Sequence, residues 1–466
     1  MSAAQAYRRE LAATVVLAGP IVLTQLAHIS LSFVDTIMVG RLGPEYLAGI
    51  ALGNTVYFTA IVMAMGIVMA VGPMVSQAFG AQDEDAIGRS VRQGMWLALV
   101  MAVVVMTIYW NAEPLLLAAG QAPETAAMAG SYLRAIMWSA FPFLGFVALR
   151  SFIEGVSRPR AVTVIAFFGV GLNVLANWAF MYGHLGFPAM GLVGTGWAST
   201  VVHWTDFFLL AAFIGSQRQF RVYHIFSRLR RPDPAYFRRL FRIGWPIGAS
   251  FGVETTLFMV TLLMMGWIST TSLAAHQVAI QCAAFTFMIP LGIGMAATVR
   301  VGQAAGRGDL EGAQRAGYTA MGLSAAIMAA AAVLFWTAPR FVIGIYLDLS
   351  DPANAQVITV AVSLLSVAAV FQVADGLQVS AAGALRGYKD TTVPMLIALV
   401  SYLGVGLASG YLLGFRAGLG GPGLWWGLVA GLAVAAVLLI ARFRRLSQGR
   451  IPLPDPSSEN APHGVA

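Results

Sequence analysis

The chain has 466 residues, of which 58% are hydrophobic and 10% are charged, and its mean hydropathy is +0.76. Soluble chains carry charge on about a quarter of their residues, so this composition excludes a soluble globular protein and indicates a membrane protein. The net charge is +8, but the basic residues are dispersed among loops without a nucleic-acid-binding motif, so we expect no nucleic-acid partner. A single cysteine, Cys282, excludes a disulfide within the chain.

Twelve apolar stretches are long enough to cross a bilayer as helices of roughly 20 residues. The first continues through Pro20 and is followed by no small-residue cleavage site, so we interpret it as a span and not as a cleaved signal. In chain order, the predicted spans are 11–38, 46–73, 91–114, 128–152, 160–182, 189–215, 238–267, 273–299, 314–338, 355–383, 392–414 and 421–442.

Basic residues are concentrated on one side of these spans. They precede the first span, crowd the loop after the sixth and follow the last, with few arginines on the opposite side. The excess of basic residues on cytoplasmic loops predicts that both termini and the loop 216–237 are cytoplasmic. The Arg-rich, Lys-poor, Ala/Gly-rich composition suggests a bacterium with a GC-rich genome, and hence its cytoplasmic (inner) membrane.

The chain aligns with itself when it is shifted by 226 residues. Met65–Arg89 then lies on Leu291–Arg315 without a gap, and ten of the twenty-five pairs are identical. Two homologous halves with six spans each, joined by a cytoplasmic loop, are a common architecture of membrane transporters. We therefore predict an all-α integral membrane fold with two six-helix lobes.

The repeat also predicts the domain limits. We expect an N-lobe at 1–215, a cytoplasmic linker at 216–237, a C-lobe at 238–446 and a disordered cytoplasmic tail at 447–466. Pro20 and Pro246 are counterparts in the first span of each half, and each removes a backbone hydrogen bond. Two interpretations stay open for these prolines, a static kink and a hinge that bends during transport.

Three of the acidic residues inside apolar spans stand out, namely Asp35 in the first, Glu254 in the seventh and Asp375 in the tenth. An acid at the centre of a membrane helix costs about 2.5–3.5 kcal/mol on insertion scales, so it usually has a partner or a function. None has an acidic counterpart in the other half, so the shared fold does not require it. We predict that these acids function in ion coupling, the alternative being acids that are protonated or hydrogen-bonded for packing.

Asn173 and Asn177 lie one turn apart in the fifth span and share a helix face. With the Asp35 carboxylate, their amide oxygens form a plausible cage for a hard cation such as Na⁺. Two alternatives remain for the amides, a network that tunes the proton affinity of a carboxylate, and hydrogen bonding between helices.

Other polar residues in the spans are weaker candidates. His28 lies two turns from Asp35 on one face, but we favour a histidine that is simply hydrogen-bonded. Asp206 lies in the sixth span, and Glu154 lies at a helix end, where pairing with an arginine such as Arg150 or solvation is expected.

Gln277 and Gln281 lie one turn apart in the eighth span, and we predict that they line a substrate cavity with Phe371. The chain contains no nucleophile elbow, HisGluxxHis or nucleotide-binding loop, so we expect no enzyme activity and no cofactor. Without a nucleotide site, transport would be powered by an ion gradient.

Four segments make the chain recognisable. It resembles the multidrug and toxic compound extrusion (MATE) family, NorM-type branch, over about residues 8–445. The matching segments are AlaGlyProIleValLeuThrGln at 18–25, PheValAspThrIleMetValGlyArgLeuGly at 33–43, GlnAlaPheGlyAla at 77–81 and GlyGlnAlaAlaGlyArgGlyAsp at 302–309. The resemblance implies two lobes around a central cavity and export of varied organic cations in exchange for Na⁺ or H⁺.

The resemblance also implies roles for individual residues. Asp35 matches the N-lobe aspartate of the family, Asn173 and Asn177 match its asparagine partners, and Glu254 and Asp375 match the C-lobe acids of the NorM branch. The resemblance thus implies a second candidate Na⁺ site at Glu254 and Asp375. Some NorM-type relatives carry a tyrosine where this chain has Phe371, so this chain lacks the ring hydroxyl that such a C-lobe cation site would use.

We therefore expect a monomeric antiporter that binds small organic cations and drugs within membrane lipid. The alternative within transporters is a flippase for lipid-linked precursors from the same superfamily, against which the intramembrane acids argue. An intramembrane enzyme lacks a catalytic constellation, and a passive channel would require more symmetric lining residues.

Overall fold

The computed structural model describes residues 3–450, the side chains at 3, 44, 45 and 47 excepted. This part of the chain is almost entirely helical and contains no β-strand. It has 12 helices that are long and apolar enough to cross a membrane, which confirms the predicted all-α fold. They are α1 (Ala4–Gly40), α2 (Ala48–Gly80), α3 (Glu84–Trp110), α4 (Pro123–Gly155), α5 (Arg160–Phe180), α6 (Leu192–Ser216), α7 (Pro234–Ile268), α8 (Thr270–Gly306), α9 (Leu310–Thr337), α10 (Pro352–Gly387), α11 (Thr392–Arg416) and α12 (Gly420–Ser447).

Several helices extend beyond the apolar stretches that predicted them. α3 begins at Glu84 instead of near residue 91, and α8 ends at Gly306 instead of near residue 299. Hydropathy detects only the segment that matches hydrocarbon, whereas a helix continues through charged turns as long as its backbone groups are satisfied.

Two helix starts reproduce the internal repeat at the level of hydrogen bonds. The Asp83 carboxylate accepts from the backbone N–H of Ala86 at 2.9 Å and caps α3. Its counterpart Asp309 accepts from the N–H of Gly312 at 2.7 Å and caps α9. Each cap satisfies an N–H that has no partner within its own helix.

Some of the spans are not uniform α-helices. α2 is interrupted between Val68 and Val71, and α4 passes through a 3₁₀ turn at Met137–Ser139. α11 contains π-helical stretches at Leu399–Leu407 and Leu412–Arg416. Shorter helical segments outside the spans are Ala112–Ala118, Arg218–Tyr223 and Pro339–Ile343.

The described helices form two compact units, and each unit takes segments from both sequence halves. Unit 1 contains the chain up to Val16, Ser76–Gln82 and the chain from Thr256 onward. Unit 2 contains Leu17–Val75 and Asp83–Thr255. Helices α1, α2 and α7 therefore each contribute to both units.

The predicted domain limits differ from the limits of these two units. The N-lobe at 1–215, the linker at 216–237 and the C-lobe at 238–446 remain a prediction. Of the predicted tail at 447–466, Ser447 is the last residue of α12, and residues 451–466 lie outside the described part.

The segment between α6 and α7 belongs to unit 2 and packs against α3. Arg92 on α3 donates to the carbonyl oxygen of His224 at 3.2 Å. Nε1 of Trp96, one turn further along α3, donates to the carbonyl of Leu229 at 2.9 Å. Contacts through side chains and backbone therefore hold much of the 216–237 segment against its unit.

In unit 1 the ends of α2 and α8 meet in backbone contact. A Cβ atom at Gly80 would collide with the carbonyl of Gln303, and one at Gly306 would collide with the carbonyl of Gln77. The two contacts are counterparts in the repeat, so they form a symmetric pair. Nε2 of Gln77 also donates to the carbonyl of Gly387 at 2.8 Å. Both glycines are needed for this close approach.

Candidate functional site

The Asp35 carboxylate on α1 in unit 2 accepts hydrogen bonds from three side chains. Nδ2 of Asn177 donates to Oδ1 at 2.6 Å, and Nδ2 of Asn173 donates to the same oxygen at 3.1 Å. The Ser199 hydroxyl on α6 donates to Oδ2 at 3.3 Å. All four residues are buried. The three residues that the sequence groups together are thus in contact, and their role in ion coupling stays a prediction.

Helix geometry explains why these groups converge. Asn173 and Asn177 are one turn apart on α5, so their amides face the same side, and Nδ2 of Asn177 also donates to Oδ1 of Asn173 at 3.2 Å. α6 packs directly against α5 and brings Ser199 to the same place. A buried carboxylate without donors would be costly, and the three hydrogen bonds offset much of that cost.

The orientation of the amides limits what this arrangement binds. The amide nitrogens face Asp35, and the Asn173 oxygen already accepts from Asn177. A hard cation takes several oxygen ligands, and Oδ1 of Asn177 is buried without a hydrogen-bond partner in the described part of the chain. A proton requires only the carboxylate itself.

Asp375 on α10 occupies a different environment in unit 1. It is buried, and Nε2 of Gln378 donates to its Oδ1 at 3.3 Å. One turn earlier, the buried Phe371 ring packs edge-to-face against Trp425, with 5.5 Å between ring centroids. Nε1 of Trp425 donates to Nδ1 of His276 at 3.2 Å. The acid therefore lies beside an aromatic cluster, and Phe371 offers a cation no oxygen.

The remaining predicted residues are distributed over both units. Glu254 lies half-buried on α7 in unit 2, whereas Asp375 belongs to unit 1, so each is described within its own unit. Gln277 and Gln281 are exposed on α8. Phe371 is packed in the aromatic cluster, and the predicted substrate cavity of Gln277, Gln281 and Phe371 stays a prediction.

Pro20 and Pro246 lie inside continuous helices. The Thr24 hydroxyl donates to the carbonyl of Pro20 at 3.0 Å, and its counterpart Ser250 donates to the carbonyl of Pro246 at 2.8 Å. Pro20 has no N–H to offer to the carbonyl of Val16, which is where α1 passes from unit 1 to unit 2. The predicted hinge at Pro20 therefore lies next to a unit boundary, and bending of α1 at this point stays a prediction.

Sequence reasoning missed Ser199 and the His276–Trp425 pair. A serine in an apolar helix has no pattern that marks it, whereas a histidine in the middle of the eighth span was a usable signal. The expected pairing of Glu154 is confirmed, because Nε of Arg150 donates to Oε1 of Glu154 at 2.6 Å and both side chains are buried.

Residues 20–179 and 246–412 match the sequence model of the MatE family. The chain belongs to the MatE family. The matched ranges fall in the two homologous halves and leave out the segment that joins them, in agreement with the internal repeat.

Relatives along the whole chain agree with this membership. The chain is 44% identical over 449 residues to a Mesorhizobium japonicum protein named probable multidrug resistance protein NorM, with 96% of both chains covered. It is 40% identical to a Burkholderia mallei protein of the same name, over 94% of this chain and 93% of the relative. These relatives confirm the resemblance to the NorM-type branch.

Solved structures share the fold of this MatE family member. An outward-facing multidrug resistance MATE transporter of the MOP superfamily superposes with a TM-score of 0.87 at 20% identity, covering 96% of this chain and 98% of the other. The eukaryotic MATE transporter AtDTX14 gives a TM-score of 0.82 at 20% identity, over 96% and 99% of the two chains. At this identity the likeness shows the fold alone.

Family and fold together make the chain a multi-pass membrane transporter and not an enzyme, and no cofactor is expected. Within the described residues, no group of three or more His, Cys, Asp or Glu side chains is arranged to hold a metal ion.

Proposed function

We propose that this MatE family transporter exports organic cations and other toxic compounds in exchange for inward H⁺ or Na⁺. It acts by alternating access as a monomer in the bacterial cytoplasmic membrane, with both termini in the cytoplasm. The names of its relatives, which describe multidrug resistance, support the substrate class. Neither nucleic acid nor a cofactor takes part.

The observation that carries this proposal is the buried Asp35 carboxylate with donors from Asn173, Asn177 and Ser199. It is an acid inside a span of a transporter, and its counterpart in the other half is Thr261. Since the fold does not require an acid at this position, ion coupling is the better explanation for it.

Coupling requires that the ion and the drug prefer different states of the transporter. A drug cation enters from the cytoplasm and is stabilised by negative charge in the protein. When the transporter opens outward, H⁺ or Na⁺ binds Asp35, or Glu254 and Asp375, and neutralises that charge. Neutralisation weakens drug binding and promotes release, and the ion then leaves on the cytoplasmic side.

The amide orientation at Asp35 favours a proton over Na⁺ at this site. The nitrogens of Asn173 and Asn177 already face the carboxylate, so a proton can bind without a rearrangement of either amide. Na⁺ would need several oxygen ligands, and Oδ1 of Asn173 already accepts from Asn177.

Efflux from liposomes tests the proposal directly. The purified protein is reconstituted, and ethidium efflux is measured under a pH gradient and, separately, under a Na⁺ gradient. Asp35→Asn keeps the shape of the side chain but removes its charge, so we expect the variant to fold and to lose coupled export. Glu124→Gln, which changes an exposed acid, serves as the matched control and should transport like the wild type.

Three outcomes distinguish the possibilities. Efflux driven by one gradient alone establishes antiport and identifies the ion. Wild-type export by Asp35→Asn would overturn the role of Asp35. Folded protein that moves drug under neither gradient would contradict the antiporter and favour a flippase for lipid-linked precursors.

A further inference from the structure

Another buried acid of unit 2, Asp206, lies on the same helix as Ser199 of the Asp35 site. Ser199, His203 and Asp206 are spaced by four and three residues on α6 and therefore share one face. Ser199 contacts Asp35, and Asp206 lies seven residues further along the helix, about 10 Å away by the rise of an α-helix. The polar groups thus continue along α6 beyond the hydrogen-bonded site.

Helix α1 also carries a row of polar residues that leads away from the contact between Asp35 and Ser199. His28 lies seven residues from Asp35 on one face of α1, and α1 and α6 meet where Ser199 donates to Asp35. His28 on α1 and Asp206 on α6 each lie about two helical turns from that contact. The His28 ring packs edge-to-face against Phe146, and the His203 ring packs in the same way against Phe143, one turn earlier on α4. The two histidines therefore lie at neighbouring levels along α4.

Asp206 is only 2% exposed, and it lies against a glycine. A Cβ atom at Gly169 on α5 would lie 2.8 Å from both of its carboxylate oxygens, so any larger residue would displace the acid. No protein group in the described part of the chain donates to Oδ1 of Asp206. A charged carboxylate with such surroundings would lose its solvation without compensation, whereas a protonated one would not.

Two arginines on the neighbouring helix α4 have carboxylate partners of their own. Arg150 pairs with Glu154, with Nε and Oε1 2.6 Å apart. Arg134 on α4 pairs with Glu113 at 2.9 Å. The remaining ionisable groups on the elements packed against α6 are Glu124, Tyr132, Arg160, Tyr46, Tyr57, Arg218, Arg221 and Tyr223.

We propose that Asp206 is a second proton-binding carboxyl of this transporter, connected to the Asp35 site through His203 and His28. This inference rests on the proposed antiport and identifies H⁺ as an ion that it moves. A proton on the Asp206 carboxyl passes to an imidazole nitrogen of His203, about one turn away on α6, and the imidazolium that forms offsets the charge of the carboxylate until the proton returns. The exchange takes up one proton on one side and releases one on the other, so charge and atoms balance.

Infrared difference spectroscopy tests the protonation separately from transport. The full-length protein in lipid nanodiscs is compared at pH about 5 and about 9, across which ordinary carboxyls are ionised. Protonated carboxyls have a carbonyl stretch that carboxylates lack. We expect Asp206→Asn to remove one carboxyl from the protonated population and Asp35→Asn to remove a different one. Glu311→Gln, whose side chain is 86% exposed, is the control and should leave the band unchanged.

An unchanged protonated-carboxyl band in Asp206→Asn at every pH would overturn the proposal. Should that variant fail to fold, Gly169→Ala keeps the acid but presses a methyl group against it, and the band should then shift in frequency. A band that is insensitive to both substitutions contradicts the assignment.

Efflux assays of the same variants separate this inference from the proposed function. If H⁺ drives export, Asp206→Asn should lower pH-driven efflux at least about tenfold, as expected when a positioned proton-transfer group is lost. Wild-type efflux driven by Na⁺ alone would overturn the role of Asp206 and leave the antiporter standing. Wild-type protein without efflux under either gradient would instead refute the antiporter, whatever the infrared band.

Discussion

Asp35 and Asp375 are both buried acids, but they lie in different surroundings. Asp35 accepts from three side chains at 2.6, 3.1 and 3.3 Å. Asp375 accepts from Gln378 at 3.3 Å and lies next to the aromatic ring of Phe371, one turn earlier. Hydrogen bonds that involve an ionised group are roughly twice as strong as neutral ones, so the three donors to Asp35 should influence how readily this acid exchanges its ion.

The three donor distances around Asp35 are unequal, so we predict that removing the donors one at a time has unequal effects on transport. Asn177→Ala removes the shortest donor to Asp35. It should shift the driving-ion concentration that gives half-maximal efflux by about tenfold or more, since a hydrogen bond to a charged group contributes about 1.5–3 kcal/mol. Ser199→Ala removes the longest donor and should have a smaller effect. The measurement is the initial efflux rate as a function of the driving-ion concentration. Equal effects of the two substitutions, in protein of equal stability, would contradict the ranking.

How much of the site could be predicted depended on the residue. Asp35, Asn173 and Asn177 were identifiable because acids and paired amides are rare in apolar spans. Ser199 was not, since serine is common in membrane helices and only the packing of α6 against α5 gives it a role. The absence of a protein donor to Oδ1 of Asp206, within the part of the chain described, depends on tertiary packing against Gly169, which no spacing rule contains.

At the scale of helices, the meeting of α2 and α8 depends on glycines at Gly80 and Gly306. Each leaves room for a backbone carbonyl of the other helix, and the two contacts are repeat counterparts. The sequence repeat marked these positions as shared without indicating that they touch. Hydropathy likewise predicted the number of spans but not the charged turns that lengthen α3 and α8, because those turns lie outside the apolar windows.

Substitution of these glycines should destabilise unit 1. Gly80→Ala and Gly306→Ala each place a methyl group on a carbonyl and force the helices apart, at a cost of about 1–3 kcal/mol. Gly322→Ala on α9 is the control, because nothing lies within 4 Å of its Cβ position. That change should be neutral or stabilise by up to about 1 kcal/mol through helix propensity.

Thermal unfolding of the purified variants in detergent, followed by intrinsic fluorescence, measures the difference. A lower midpoint for Gly80→Ala and Gly306→Ala, with none for Gly322→Ala, is the expected result. Equal midpoints for all three would mean that the close approach of α2 and α8 does not limit stability.

At the scale of the whole molecule, the halves of the sequence are not the compact units of the structure. Unit 1 needs the first turns of α1, and Glu10 there accepts from Nε and Nη2 of Arg300 on α8 at 2.8 and 2.7 Å. Unit 2 needs the first turns of α7, where the Tyr236 hydroxyl lies 2.9 Å from that of Ser90 on α3. The sequence repeat predicted two halves but could not predict this exchange of segments, because it follows from tertiary contacts.

Splitting the chain at Pro232 tests the exchange. Residues 1–232 lack the α7 segment of unit 2, and the remaining fragment lacks the α1 and α2 segments of unit 1. We therefore expect each fragment alone to aggregate or be degraded, and the two fragments expressed together to copurify and restore drug efflux. A fragment 1–232 that is monodisperse and thermally stable by itself would contradict this expectation.

The exchanged segments have a consequence for the history of the chain. Two identical subunits that trade their ends form a swapped dimer, in which neither copy is complete without the other. An ancestor with a single six-helix repeat would have had the same requirement, so it is expected to have functioned only as an obligate homodimer. Gene fusion would then have joined two partners that were already interdependent.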